Sequence, residues 1–400
     1  MTEVLLLEPT GMVAGGDALA RHPDGRVVFV EGALPGERVR ARLTEERRDF
    51  ARAVAVDVVD PSPDRVVPPC PALAAGCGGC TWQHVSAGGQ ARLKVDIVVD
   101  ALRRIGRLPD PPAPTAAPVD GPALRTTARL AVSAAGRAGH RPRRGPAAVE
   151  TDHCQAAHPR LDELIVEGRF PGATEVLLRV GVAGGDRLVR VDRHPDRVTV
   201  PAGVVVTAEG GDGAGAVHED VAGRRFRVSA DSFFQAGPVT AAALVAAVRS
   251  AAGDAGRARG LIVDAYAGVG LFGSVLGSER GARVIAVESH PSAVADARVN
   301  LADVDARVVA VEVGRWRPPK AAVDLVVADP SRSGLGRPGV SALAAAQAPR
   351  LVLVSCDPAS LARDAALLHD AGYRLASVAV VDAFPDTFHV ETVSRFDRER

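Results

Sequence analysis

Two sets of cysteines carry much of the chemistry legible in this 400-residue chain: Cys356 alone, and Cys70, Cys77, Cys80 and Cys154 together. Cys356 lies in LVLVSCDP, Leu351 to Pro358. An apolar, β-branched run of this kind reads as a buried parallel strand. Pro358 stops the strand and suits the first position of a following helix. The thiol then stands at the carboxyl end of a strand, where open α/β sheets bind ligands. The alternative is a Cys packed as a small hydrophobe. In the second set, Cys70-x6-Cys77-x2-Cys80 puts three thiols on a glycine-broken loop, and Cys154 follows in TDHCQAAHP. Four thiolates suit an iron–sulfur cluster or structural zinc. Zinc sites usually use two short knuckles, and only one short pair, Cys77 and Cys80, is present.

Acids and glycines form a second constellation. LIVDAYAGVGLFG reads as a strand entering a glycine turn, with Asp264, Gly268 and Gly270 at the turn and Glu288 at the tip of the next strand. Glycines let a ligand approach the backbone, and an acid about 20 residues further on accepts bonds from ribose hydroxyls. The turn is not G-x-G-x-x-G and offers no pyrophosphate cradle, which points away from NAD and toward S-adenosylmethionine. Asp329, at the tip in DLVVADPSRSGLG, either caps a helix beside Pro330 or accepts a bond from a base or cofactor. In DSFFQ, Gln235 is placed to hydrogen-bond a ligand. His389 and Glu391 alternate along a strand in FPDTFHVETVSRF, where a solvated strand residue is the other reading of Glu391.

The elements that must position these residues fall into three stretches. Residues 1–60 read as short alternating strands between glycine turns (VLLLEP, RVVFVEG, ERVRARLTEE, FARAVAVDVVD), a small β-barrel. Residues 61–225 read as an α+β domain holding the four-cysteine site. It includes a helix over 90–108, with Val95, Val98, Val99, Leu102 and Ile105 on one face, able to pack on the catalytic domain, and a proline-rich break from Pro109 to Pro118. Residues 226–400 alternate strand, glycine turn and helix, a doubly wound, Rossmann-like α/β domain.

Hydrophobic residues make up 47% of the chain, and 48 Lys/Arg balance 48 Asp/Glu, so global charge names no partner. Arg92 to Arg144 carries eleven Lys/Arg against four Asp, a net +7 compatible with a nucleic-acid footprint or a solvated face. No signal segment and no apolar run of 18 residues is seen, so a soluble cytoplasmic protein without membrane contact is expected. Five cysteines in such a compartment point to metal binding or catalysis rather than disulfides.

Taken together, the GGCTWQH cysteine set, DSFFQ, DAYAGVGLFG, Glu288, ADPSRSGLG, VSCDP and FPDTFHVE resemble the uracil-5 RNA methyltransferases that carry a TRAM barrel and a [4Fe–4S] cluster. The resemblance spans essentially the whole chain. It implies that Cys70, Cys77, Cys80 and Cys154 hold the cluster. Gln235, Tyr266, Gly268, Glu288 and Asp329 would contact S-adenosylmethionine, with Glu312 added by a loose alignment of VVAVEVGRW. Cys356 would be the nucleophile and Glu391 the general base. It further implies a monomer acting on structured RNA, large-subunit (23S) ribosomal RNA ahead of tRNA, with Arg125 and Arg129 as candidate RNA contacts. The chain departs from the family pattern at Ser331, where a second proline is usual, and at Leu271, where Asn is common. A cytosine-5 RNA methyltransferase would often carry a further Cys just after Asp329-Pro330, where this chain has Ser331-Arg332. A non-catalytic, redox-sensing RNA-binding protein is the rival of a different class; retention of Cys356 and Glu391 argues against it.

Overall fold

Strict alternation of side chains builds the amino-terminal sheet. In Arg38–Glu46, Val39, Ala41 and Leu43 are buried while Arg38, Arg40 and Arg42 are exposed. The computed structural model describes residues 3–399 apart from 118, 120, 123, 211–214, 257 and 258. Pro118, the end of the proline-rich break, lies outside them, as does Asp120 of the charge count.

The first sheet has six strands, ordered β1-β5-β6-β4-β3-β2. They are β1 (Val4–Leu7), β2 (Gly11–Met12), β3 (Ala18–Arg21), β4 (Val27–Glu31), β5 (Arg38–Glu46) and β6 (Phe50–Asp60). Four of these coincide with the stretches read from sequence. The short β2 and β3 were not read as strands, being too brief for a clear period.

Helix α1 (Ala87–Arg104) starts three residues earlier and ends four residues earlier than the reading over 90–108. Its start is set by Ser86, whose hydroxyl accepts the Gly89 N–H at 3.1 Å. Leu108 packs on the catalytic core from beyond the helix end, which explains why it prolonged the apparent period. The buried face also differs from expectation. Lys94, Ile97, Val98, Ala101 and Leu102 are buried, whereas Ile105 is exposed. The cause is that α1 is wedged between two cores, Ile97 joining the barrel and Val98 and Leu102 the catalytic layer.

The central sheet has the order β10-β9-β8-β11-β12-β13. Its strands are β8 (Thr127–Val132), β9 (Ala138–His140), β10 (Val149–Glu150), β11 (Glu175–Val180), β12 (Arg187–Val191) and β13 (Val205–Ala208), with α2 (Pro159–Glu167) against it. Two pieces of the 61–225 stretch lie elsewhere. Strand β7 (Thr115–Ala117) extends the catalytic sheet. Strand β14 (Ala216–Val221) pairs with β15 (Arg224–Ser229), a hairpin whose Val217, Val221, Phe226 and Val228 pack on α3 (Pro238–Ala252). This hairpin straddles residue 226 and packs with the carboxy-terminal core.

The catalytic sheet has eight strands, ordered β18-β17-β16-β19-β20-β22-β21-β7. In chain order it runs β16 (Leu261–Ala265), α4 (Leu271–Arg280), β17 (Arg283–Glu288), α5 (Pro291–Asn300), β18 (Ala306–Ala310), β19 (Leu325–Ala328), α6 (Gly336–Ala344), β20 (Arg350–Ser355), α7 (Pro358–Asp370), β21 (Tyr373–Val381) and β22 (Glu391–Arg398). Strands β16 to β20 are parallel, and β22 is antiparallel to both β20 and β21. Helices α1, α6 and α7 cover one face and α3 and α4 the other. This doubly wound order reverses between β16 and β19, which opens a crevice at their carboxyl ends. Among the described residues, no helix is long and apolar enough to cross a membrane.

Candidate active site

Strand ends bring the sequence candidates together. Strands β16, β17, β19 and β20 stop at one edge, and antiparallel β22 begins there with Glu391. The β20–β22 register ends with Ser355 paired to Thr392, and Cys356 follows that pair on one strand while Glu391 precedes it on the other. Beyond Cys356, the Asp357 carboxylate accepts the Ser360 N–H at 2.7 Å and caps α7, with Pro358 in its first turn.

A cavity of about 300 Å³ opens at the β16–β17 edge, lined by Tyr266, Glu288, Glu312, Ser331, Gly334 and Gly339 among others. Glu288 is the best-held acid in it. One carboxylate oxygen accepts the Gly268 N–H at 2.9 Å; the other accepts the Ser289 and His290 N–H groups at 2.6 and 2.7 Å. Those bonds fix its orientation and leave lone pairs for a diol. Gly268 has φ +55°, and a side chain there would point into open space. Tyr266 also lies in the left-handed region, at φ 58°, a sparsely populated conformation for a bulky residue. Its hydroxyl lies against Gly339, where a Cβ would stand 2.7 Å from it. Glu312 lines the cavity but is exposed and paired to Arg315 at 3.3 Å.

Asp264 does not reach the cavity. It is wholly buried and accepts the Gly273 N–H at 2.7 Å, fastening the first turn of α4 to β16. Burial pushes its carboxyl up to about 8, and its second oxygen has no partner among the described residues. Leu271, the residue in place of the common Asn, is buried in the core under α3 and α4.

At the β19–β20 edge the acids change character. Asp329 accepts the Gln235 amide N–H at 3.1 Å, which joins two of the sequence candidates. Burial pushes its carboxyl up to about 7, with the Gln235 bond opposing. Glu391 is 3% exposed, not the solvated strand residue of the alternative reading. Burial, and then the charge of Asp329, hold its carboxyl well above the usual range, while Arg332 pulls it down. The Cys356 thiol is pushed up to about 11 by burial, then by Glu391 and Asp329, and Arg332 again opposes. Three acidic groups and one guanidinium therefore feel each other in one crevice. Sequence reading assigned Arg332 no role, and missed it as the counter-charge to Cys356 and Glu391.

The DSFFQ turn that delivers Gln235 is pinned from the central sheet. Buried Arg179 donates to the Ser229 and Ser232 carbonyls at 2.7 and 2.8 Å, and Arg190 pairs with Asp231. Phe233 in this turn is 70% exposed at a cleft of about 990 Å³, whose wall includes Arg129, Arg190 and Arg227. The expected basic stretch, by contrast, is largely neutralised within the protein. Arg92 pairs with Asp64, Lys94 with Asp382, Arg129 and Arg141 with Glu175, Arg137 with Asp152, and Arg143 with Asp17.

Cys70, Cys77, Cys80 and Cys154 line one small cavity with His140. An isolated bridge between Cys77 and Pro142 holds the cysteine loop against the central sheet. The Gly79 N–H points at the Cys77 sulfur at 3.5 Å, and His140 Nε2 lies 3.7 Å from the Cys154 sulfur. Burial pushes the Cys77, Cys80 and Cys154 thiols up, Cys80 to about 11, and Arg125 pulls all three back. Arg125 donates to the Gly79 carbonyl at 2.9 Å, so it belongs to this loop. Among the described residues, no three His, Cys, Asp or Glu side chains are gathered closely enough to hold a single metal ion.

The site predicts its own cofactor dependence. Glu288→Ala should weaken S-adenosylmethionine binding by on the order of 10- to 100-fold, the loss of hydrogen bonds to a charged acceptor. Calorimetric titration checks this, and unchanged affinity would remove Glu288 from the cofactor site.

A TRAM domain model matches residues 2–56. An RNA methyltransferase of Streptomyces coelicolor is 39% identical, covering 95% of this chain and 90% of the relative. A 23S rRNA (uracil(1939)-C(5))-methyltransferase of Alkalilimnicola ehrlichii is 34% identical over 98% of this chain and 96% of its own. Among solved structures, the Pyrococcus abyssi tRNA (uracil-54, C5)-methyltransferase with S-adenosyl-L-homocysteine matches with TM-score 0.74. It covers 98% of this chain and 99% of its own at 23% identity, a likeness of fold.

Proposed function

The chain belongs to the TRAM-bearing RNA (uracil-carbon-5)-methyltransferase family, and from that premise we propose that Cys356 and Glu391 methylate carbon 5 of one uridine in 23S ribosomal RNA. The observation that carries the residue assignment is a buried Glu391 whose charge acts on the Cys356 thiol, the two residues flanking the last β20–β22 pair, Ser355 with Thr392. Two 23S rRNA (uracil-carbon-5)-methyltransferases, each 34% identical, support the choice of RNA.

Carbon 5 of uracil is too electron-poor to attack a methyl sulfonium unaided. The Cys356 thiolate adds to carbon 6, forming a carbon–sulfur bond and moving an electron pair toward carbon 4 and its oxygen. Carbon 5 becomes enolate-like and takes the methyl group that S-adenosylmethionine supplies. Glu391 then removes the carbon 5 proton, the double bond re-forms, and the thiolate leaves. Arg332 offsets the negative charge on Cys356 and Glu391. Asp329 and Gln235, bonded to each other, orient the cofactor or the base edge. The target nucleotide must leave its stack to reach this crevice. The cleft beside exposed Phe233, with Arg129, Arg190 and Arg227 on its wall, would receive RNA flanking that nucleotide.

Cys70, Cys77, Cys80 and Cys154 would hold a [4Fe–4S] cluster, which ties the loop before α1 to the central sheet. What supports this reading over zinc is the donor set: four thiols line one cavity, and only one short pair, Cys77 and Cys80, is present where zinc sites usually use two. Anaerobically purified protein should be brown, with broad absorbance near roughly 400 nm; a colourless protein with stoichiometric zinc would refute the cluster.

The test of function is tritium release from RNA labelled at carbon 5 of uracil, using undermethylated ribosomal RNA and tRNA in parallel. Release from ribosomal RNA alone is expected. Release from tRNA alone would overturn the substrate, and no release from either the chemistry.

A further inference from the structure

The nine residues between β21 and β22 lead directly into Glu391, and they form neither helix nor strand. Two side chains of α1, one turn apart, hold them. Gln90 accepts the Asp386 N–H at 2.8 Å through its carbonyl oxygen, and its amide donates to the Asp386 carboxylate at 3.0 Å and to the Val85 carbonyl at 2.9 Å. Lys94, four residues on and on the same face, is fully buried; its ammonium donates to Asp382 at 2.6 Å and to the Phe384 carbonyl at 3.0 Å. A third tie comes from the residues before the helix, where the Trp82 N–H donates to the Asp386 carbonyl at 2.8 Å. Asp386 itself sits at φ 62°, a turn that needs such support in a residue other than glycine.

Stability alone does not account for this clamp. A buried ion pair contributes little net stability, because desolvating an ammonium offsets much of its attraction to the carboxylate. Its better-attested use is to fix one arrangement among several. Here the arrangement fixed is that of the segment ending at the last rung of a β-ladder, Val381 opposite Glu391. End rungs open readily unless the chain beyond them is tied. Downstream of the clamp, Thr387 donates to the Phe384 carbonyl at 2.8 Å and accepts the His389 N–H at 3.2 Å, which carries the tie to within two residues of Glu391.

We propose that Gln90 and Lys94 are positioning residues for Glu391, so that α1 governs how fast the carbon 5 proton is removed once the methyl group has been transferred. The inference rests on the assignment of Cys356 and Glu391 above. In atoms, the clamp acts on one step: Glu391 takes the carbon 5 proton, that electron pair re-forms the double bond, and the carbon–sulfur bond to Cys356 breaks. Addition of Cys356 and transfer of the methyl group precede this step and do not use Glu391 as base.

The experiment is a single-turnover reaction of the full-length protein on ribosomal RNA. The RNA is tritiated at carbon 5 of uracil, and the S-adenosylmethionine carries a carbon-labelled methyl group. In the wild type, methyl incorporation and tritium release should coincide. In Lys94→Met, methyl incorporation should keep its rate while tritium release lags by on the order of 10- to 100-fold, the effect of about an ångström of misplacement. Methylated RNA should meanwhile run as a protein adduct on a denaturing gel, with cofactor affinity unchanged. Asp382 is 35% exposed on its side chain, so water can solvate it when the ammonium is removed. Gln90→Met, which removes the Asp386 contacts without touching a charge, should lag in the same way and serves if Lys94→Met does not fold. Glu391→Gln is the control that separates the two ideas. If it uncouples the labels and neither clamp variant does, the clamp is refuted. If Glu391→Gln itself stays coupled, the base assignment falls first.

Discussion

Cys356→Ala abolishes methyl transfer, by at least on the order of 10⁴-fold, the loss of a covalent nucleophile. Cofactor affinity should stay within about twofold, because the Glu288 cavity does not include Cys356. No RNA adduct should appear on a denaturing gel. Measurable turnover in this variant, with folded protein and bound cofactor, would refute covalent catalysis. The thiol's surroundings add a pH signature. Burial, Glu391 and Asp329 push Cys356 up to about 11, and Glu391 is itself pushed well above the usual carboxyl range. Both groups act deprotonated and both are raised, so the overall turnover rate should climb with pH through the alkaline range toward the Cys356 value of about 11 rather than pass through a maximum near neutrality. Below the raised Glu391 value it should fall more steeply, since two protons then have to be lost.

Glu391→Gln should lower turnover by on the order of 10²- to 10⁴-fold, the usual contribution of a positioned base. The defect should take a particular form. Glutamine keeps the side-chain shape but cannot accept the carbon 5 proton, so the methylated RNA stays bonded to Cys356. Removing the Glu391 charge also removes one of the effects that push the Cys356 thiol up. Adduct should therefore form at lower pH than in the wild type. A gel-shifted species carrying the labelled methyl group, formed in single turnover and persisting for hours, is the expected observation. A variant that turns over at the wild-type rate would move the base role elsewhere, with Asp329 next in line.

The tips of the parallel strands were legible because a parallel sheet writes itself into sequence as apolar runs ending in polar residues. Cys356, Glu288 and Asp329 all sit at such endings, and the structure brings them to one edge. The four cysteines were legible from type and spacing, though Cys154 joins the others only through the central sheet. What stayed hidden depends on distant partners. Nothing in GGQARLKVDIVV says that Lys94 is fully buried, because its partner Asp382 lies 288 residues further on. The same holds for the basic stretch, whose Arg143 is matched by Asp17 across 126 residues. Strand β7 was missed for a related reason. Three residues, Thr115–Ala117, form a strand only because β21 offers them an edge.

Helix α1 has a consequence for how this protein can be taken apart. Ile97, with Trp82 and Val85, completes the interior of the barrel, while Val98 and Leu102 complete that of the methyltransferase layer. The barrel is thus not a detachable cartridge. A cut after residue 60 would open an apolar wound on both fragments, and the helix that heals one also steadies the loop before Glu391. Grafting the barrel onto another enzyme would have to carry residues 82–104 with it. Natural exchange of such modules faces the same constraint, because a seam before α1 opens the barrel and a seam after it opens the methyltransferase layer.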